Sequence, residues 1–170
     1  FDKTYFLDFA KPEQKFSYAA SLGTAQIPKE LHSEYKELLS DFRYRSVREE
    51  SGKKVVESIT GKEAYVNVDP TLLLTSEQWD KIAGERIIKE KYIFLFNVLK
   101  PKKMIEYAVK LGKEKNLPVY YLNDKHLPIK GIKYVKPVGA DGFVNLIKNA
   151  EYVVSNSFHA SAFSVIYHKK

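Results

Sequence analysis

Short apolar runs alternate with amphipathic stretches along nearly the whole chain, and this rhythm constrains the fold more than any other feature. A strand, a helix and a second strand in succession favour a parallel sheet with helices on its faces, because the helix carries the chain back to start each strand in the same direction. Residues 92–98 are apolar but for Asn97, which predicts a central strand buried on both faces. Periodicity predicts further strands over 16–21, 43–48, 64–68, 119–122, 132–135 and 152–154. Helices are expected from Pro28 to Phe42, with proline in the first turn, and from Glu49 through Ile59, with Gly61 as the stop. Another runs from Pro101 to Lys115, with Met104, Ala108 and Leu111 on one face. Thr75-Ser76-Glu77-Gln78 has capping-box spacing and opens a short helix through Ile82, where Trp79 is expected to pack in a core or hinge. Gly139-Ala140-Asp141 opens the helix of Phe143, Leu146 and Ile147. The polar stretch 84–90 reads as a connector that divides the chain into 1–88 and 89–170, two incomplete Rossmann-like units of α/β class.

The last strand breaks into Ser155-Asn156-Ser157 and resumes as a helix carrying His159 on its first turn. An imidazole and several hydroxyls thus lie at the carboxyl end of a strand and the amino end of a helix. Free N–H groups and the helix dipole favour anions at such a place. Arg48 ends a strand and precedes a helix in the same way, with a salt bridge to Glu49 or Glu50 as the competing reading. Asp69, followed by Pro70, offers a base or an Asx-turn. Ser21 and Gly23 mark either a close backbone approach to a ligand or an ordinary tight turn. Asn156 and Ser157 offer ligand contacts or helix capping.

Hydrophobic residues make up 44% of the 170, enough for a sizeable core. The absence of cysteine excludes disulfides and thiolate metal sites and suits a reducing compartment. A formal charge of +7 favours anionic partners, but the lysines are spread over most predicted helices. No basic helix, zinc module or aromatic RNA-binding strand points to nucleic acid. No apolar run approaches the roughly 20 residues of a membrane span. The chain opens on Phe1-Asp2-Lys3-Thr4 without a leader pattern and stops at Lys169-Lys170 after an apolar helical run, so both ends read as cuts through a longer protein. No nucleotide-binding glycine motif and no cluster of Asp, His and Glu suggests a cofactor or a metal. His32, His126 and His168 have no partner at ligand spacing and read as surface residues.

Four segments in order, Tyr18-Ala19-Ala20-Ser21-Leu22-Gly23, Ser46-Val47-Arg48-Glu49, Val68-Asp69-Pro70-Thr71-Leu72-Leu73-Leu74 and Asn149 through His159, resemble the polysaccharide pyruvyl transferase family. The resemblance implies a GT-B-like fold, with two Rossmann-like domains facing each other across a cleft. It implies transfer of the pyruvyl group of phosphoenolpyruvate to a sugar of a cell-surface polysaccharide precursor, lipid-linked or nucleotide-linked. That work would be cytoplasmic, with peripheral membrane association open. By the same resemblance His159 is the acid that activates the donor, and Arg48 holds its phosphate or carboxylate. Some family branches carry an arginine where Ser157 stands. The family's Gly-Pro-x-Glu-Phe is here Gly139-Ala140-Asp141-Gly142-Phe143, which keeps Gly139 as a substrate-side candidate and replaces the acid by Gly142. Two other readings compete: a GT-B glycosyltransferase using a nucleotide sugar, and a non-catalytic glycan-binding module.

Overall fold

The computed structural model describes residues 2–98, 102–123 and 129–170. It is an α/β structure in which every strand pair is parallel. Two compact units divide between Leu73 and Leu74.

In the first unit, helix α1 (His32–Ser40) precedes strand β1 (Ser46–Val47), helix α2 (Glu50–Thr60) and strand β2 (Tyr65–Val66). α1 is shorter than the sequence suggests, because Pro28 caps a separate 3-10 turn, Lys29–Leu31, ahead of it. α2 stops at Gly61, whose φ of +68° is the left-handed cap that glycine adopts most easily. β1 and β2 pair Ser46 with Tyr65 and Val47 with Val66, a far shorter ladder than the two predicted strands. The predicted strand over 16–21 is reduced to two bridges, Phe16 to Tyr44 and Ala20 to Val47. Between them four steps on one segment face three on the other, so the first segment carries one extra residue. Ala19 supplies the break with a φ of +48°, the signature of a bulge. Val47, Val56, Ala64, Leu39, Phe42 and Phe6 form the core of this unit.

The second unit contains α3 (Ser76–Ala83), β3 (Ile93–Phe96), α4 (Lys102–Lys115), β4 (Val119–Leu122), β5 (Ile132–Val135), α5 (Ala140–Lys148), β6 (Tyr152–Ser155) and α6 (Phe158–Ile166). Its sheet runs β5-β4-β3-β6, so β3 is central, as its apolar run requires. Alternation sends Ile93 and Leu95 to the α4 side, with Ala108, Val119 and Tyr121. Phe94 faces the other side, with Leu146, Ile147, Ala160 and Phe163. Both layers exclude water from β3, whose Ile93, Phe94 and Leu95 are fully buried, each contributing about 1.5–3 kcal/mol by leaving water.

Residues 74–88, expected with the first half, belong by contact to the second unit. The capping box is present: the Thr75 hydroxyl accepts from the Gln78 N–H, and Gln78 Oε1 accepts from the Thr75 N–H. The helix it starts lays Trp79 edge-on against Phe163 at 4.9 Å. Asn145 then ties down the connector. Its Nδ2 donates to the carbonyls of Ala83, Gly84 and Glu85, and its Oδ1 accepts from the Ile87 N–H. The helix start expected at Pro101 lies outside the described residues.

Candidate active site

The strand order of the second unit reverses between β3 and β6. From β3 the chain moves to one side through β4 and β5, then returns to place β6 on the other. In open α/β sheets ligands bind at the carboxyl end of such a switch point. Asn156 stands at that end of β6, and its Oδ1 accepts from the Val98 N–H at 2.9 Å, joining the two strand ends. Ser157 caps α6: its Oγ accepts from the Ala160 N–H at 3.4 Å, while its own N–H donates to Ser155 Oγ at 3.0 Å. Capping therefore accounts for Ser157, and an arginine at its place would remove that cap. His159 sits in the first turn of α6, exposed, with its ring edge-on to Phe158 at 5.3 Å. No acidic side chain lies in that turn, so the amino-terminal field of the helix is not offset by an acid there.

One further polar group at this edge escaped the sequence reading. Asn97 is 5% exposed, and its Oδ1 accepts from the Tyr121 hydroxyl at 2.8 Å. Its Nδ2 is buried without a partner among the described residues. The signal was present as the single polar residue in an otherwise apolar strand. Gly139 begins α5 at the same carboxyl edge of the sheet, beyond β5. A β-carbon on Gly142 would lie 2.6 Å from that of Val138, so the acid found here in the family pattern has no room beside Val138.

The first unit presents its own carboxyl edge. Arg48 follows β1, and its N–H donates to the Ala20 carbonyl at 3.1 Å. Its guanidinium donates from Nε to Glu49 at 2.8 Å and from Nη1 to Asp69 Oδ2 at 3.1 Å. Burial works against the charge, but the hydrogen bonds to Glu49 and Asp69 outweigh it and hold the Arg48 pKa above its ordinary value. The other oxygen of Asp69 accepts from the Thr71 N–H at 3.0 Å and the Thr71 hydroxyl at 2.7 Å. Asp69 therefore closes an Asx-turn and anchors Arg48 at once. Ser21 Oγ accepts from the Gly23 N–H at 3.2 Å, and Gly23 adopts a φ of +68° with open space where a β-carbon would stand. A depression of about 280 Å³ lies between this turn and the start of α2, bordered by Ser21, Gly23, Glu49 and Ser51.

The structure thus groups Arg48, Asp69, Ser21 and Gly23 on one edge, and Asn156, Ser157 and His159 on the other. His32 and His168 are exposed, and His126 lies outside the described residues. No helix among the described residues is long and apolar enough to cross a membrane. The family model for polysaccharide pyruvyl transferase matches residues 1–170. No curated protein and no solved structure matches the chain. With the match spanning its full length, the chain belongs to the polysaccharide pyruvyl transferase family, a family of enzymes.

Proposed function

We propose that this protein transfers the pyruvyl group of phosphoenolpyruvate to two hydroxyls of one sugar in a cell-surface polysaccharide precursor. Its two units are then Rossmann-like halves of a GT-B-like fold, a reading supported by the β5-β4-β3-β6 strand order of the second. The observation that carries the proposal is His159, an exposed imidazole at the amino end of α6 and at the switch point of a parallel sheet.

The reaction requires a proton on the methylene carbon of the donor, and an imidazolium delivers one near neutral pH. The free N–H groups at the amino end of the helix favour the phosphate dianion of the donor, which brings the donor beside the His159 ring. Protonation at C3 makes C2 electrophilic, and an acceptor hydroxyl adds to it. The C2–O bond to phosphorus's oxygen breaks and inorganic phosphate departs. A second hydroxyl of the same sugar then closes the ketal. One hydroxyl proton replaces the proton spent on the new methyl group, and the other leaves with phosphate, so no redox partner is needed. Asn156 borders the anion at the second unit's edge, and Ser157 caps the helix that carries His159. Arg48 supplies a planar, permanently charged fork at the first unit's edge, fixed in place by Asp69, with the more exposed Glu49 as the carboxylate that a substrate anion displaces.

Phosphate release from phosphoenolpyruvate, measured with a panel of glycan precursors, tests this. Release should depend on acceptor and fall at least about a hundredfold in His159→Ala, the range expected for loss of a general acid. Silence across the panel, together with thermal stabilisation by a nucleotide sugar, would overturn the proposal in favour of glycosyl transfer.

A further inference from the structure

The first unit holds a second, larger cavity that the chemistry above does not use. It measures about 560 Å³, within the range of small-molecule sites, and lies between the amino-terminal 3-10 turn (Lys3–Phe6), the segment 16–22 and the two helices of the unit. Its floor is aliphatic, made by Leu39, Val47 and Val56. One wall is an aromatic pair, Phe6 and Tyr35, set edge to face at 5.2 Å. Its rim carries Tyr5, Phe16 and Tyr18, which are 85%, 66% and 48% exposed. Rings this open to water present a free face to a ligand.

Two features show how the chain builds this rim. The bulge at Ala19 interrupts strand alternation, so consecutive side chains from Phe16 to Tyr18 and again from Ala20 to Leu22 border one cavity instead of pointing to opposite faces. Leu7 adopts a φ of +53° where the 3-10 turn ends, which turns the chain at the opposite lip. Both are non-glycine residues in the left-handed region, a conformation that costs about 1–2 kcal/mol each. Arg45 also reaches the cavity, where it donates to the carbonyls of Phe42 and Glu63 and makes no ion pair among the described residues.

Ser21 is common to the cavity and the candidate site. It borders both this cavity and the smaller depression beside Glu49, on the edge that carries Arg48. The two hollows therefore share Ser21 as a common wall. A sugar has apolar ring faces and polar edges, which match ring-lined walls with hydroxyl and guanidinium groups at their margin. We propose that this cavity is the acceptor subsite, where a sugar unit of the polysaccharide precursor stacks on Tyr18 and Tyr5 with its hydroxyls turned toward Ser21. The assignment rests on the pyruvyl-transfer reading, because that reading supplies a sugar as the second substrate.

The test uses the whole protein, Tyr18→Ala and Tyr18→Phe. Tyr18 is half exposed, so its truncation leaves the core in place, and equal melting temperatures verify this. Tyr18→Ala should raise the KM for the acceptor about tenfold, the usual effect of losing one stacking ring, with the KM for phosphoenolpyruvate unchanged. Tyr18→Phe keeps the ring and should retain most of the acceptor affinity. Methyl glycosides of galactose, glucose and mannose, titrated while the tyrosine ring resonances are followed, read binding without turnover. At least one should shift the Tyr5 and Tyr18 signals in the wild type, and the Tyr5 signal should stay in place in Tyr18→Ala. Acceptor-dependent phosphate release with an unaltered acceptor KM in Tyr18→Ala would overturn the subsite and leave pyruvyl transfer standing. Shifts caused by farnesyl phosphate and by none of the glycosides would mean a lipid site, and would also overturn it. No release with any acceptor, while a glycoside still shifts the tyrosines, would remove the pyruvyl-transfer reading and keep a sugar site.

Discussion

Asn145 shows how much a single side chain decides in this protein. It is completely buried, and its carboxamide serves three carbonyls and one backbone N–H of the connector that follows α3. Removing it leaves the buried Ala83 carbonyl without its donor and releases the part-buried groups of Gly84, Glu85 and Ile87. Asn145→Ala should lower unfolding free energy by about 3 kcal/mol in equilibrium urea denaturation, and should speed hydrogen exchange at the Ile87 amide. Asn145→Asp should be no milder, since a carboxylate would face three carbonyl oxygens. A loss below about 1 kcal/mol would mean that water replaces the amide without penalty. The same scale separates what was legible at the edges from what was not. Strand ends and helix starts placed Arg48, Asn156, Ser157 and His159 at carboxyl edges, because periodicity reports position. Partner choice between residues far apart in sequence is not periodic. Helix capping by Ser157 is one of its two sequence readings, whereas the pairing of Arg48 with Asp69 and the Asn97 Nδ2, without a partner among the described residues, appear only in three dimensions.

At the scale of elements, helix ends are written locally and strands are not. Gly61 terminates α2 in the left-handed region, with nothing within 4 Å of where a β-carbon would stand. Gly61→Ala therefore meets no clash, and its whole effect is conformational. It should destabilise the protein by about 1 kcal/mol, with the α2 amides exchanging faster and those of β3 unchanged. A neutral result would show that the chain leaves α2 by another turn. The box at Thr75 and Gln78 is a local start signal, and it too matches its predicted place. Strands 119–122 and 132–135 match theirs: the first alternates buried and half-buried residues inside the sheet, and the second pairs with it along all four residues as the edge strand. The first unit behaves differently. Its three predicted strands shrink to two-residue ladders and bridges, since Tyr65 and Val66 of β2 both stand exposed and no further strand pairs beyond β2 among the described residues. Apolar residues mark a strand only when a face exists to bury them, and the sequence carries no sign of the extra residue that Ala19 inserts.

At the scale of the whole molecule, the boundary between Leu73 and Leu74 separates two very different cores. The second unit surrounds a central four-residue strand with helices on both faces, and three of that strand's side chains are wholly dry. The first rests on shorter ladders and leaves Phe16, Tyr44 and Tyr65 substantially exposed. Free energies of opening follow buried apolar contact, so the first unit should open at a lower cost than the second. The chain contains a probe for this difference. Its single tryptophan, Trp79, lies in α3 and packs against Phe163 inside the second unit, whereas helical ellipticity comes from both. In urea, ellipticity should begin to fall before the emission of Trp79 shifts, and the two curves should not superimpose. The sequence connector at 84–90 hid this arrangement, because α3 reads as an ordinary capped helix and only the contact of Trp79 with Phe163 shows which core it joins. Placing the boundary after residue 88 would assign the tryptophan to the weaker unit and reverse the order, with emission shifting first. Superimposed curves would mean that both units melt as one cooperative body, and only emission that lags behind ellipticity agrees with a division before α3.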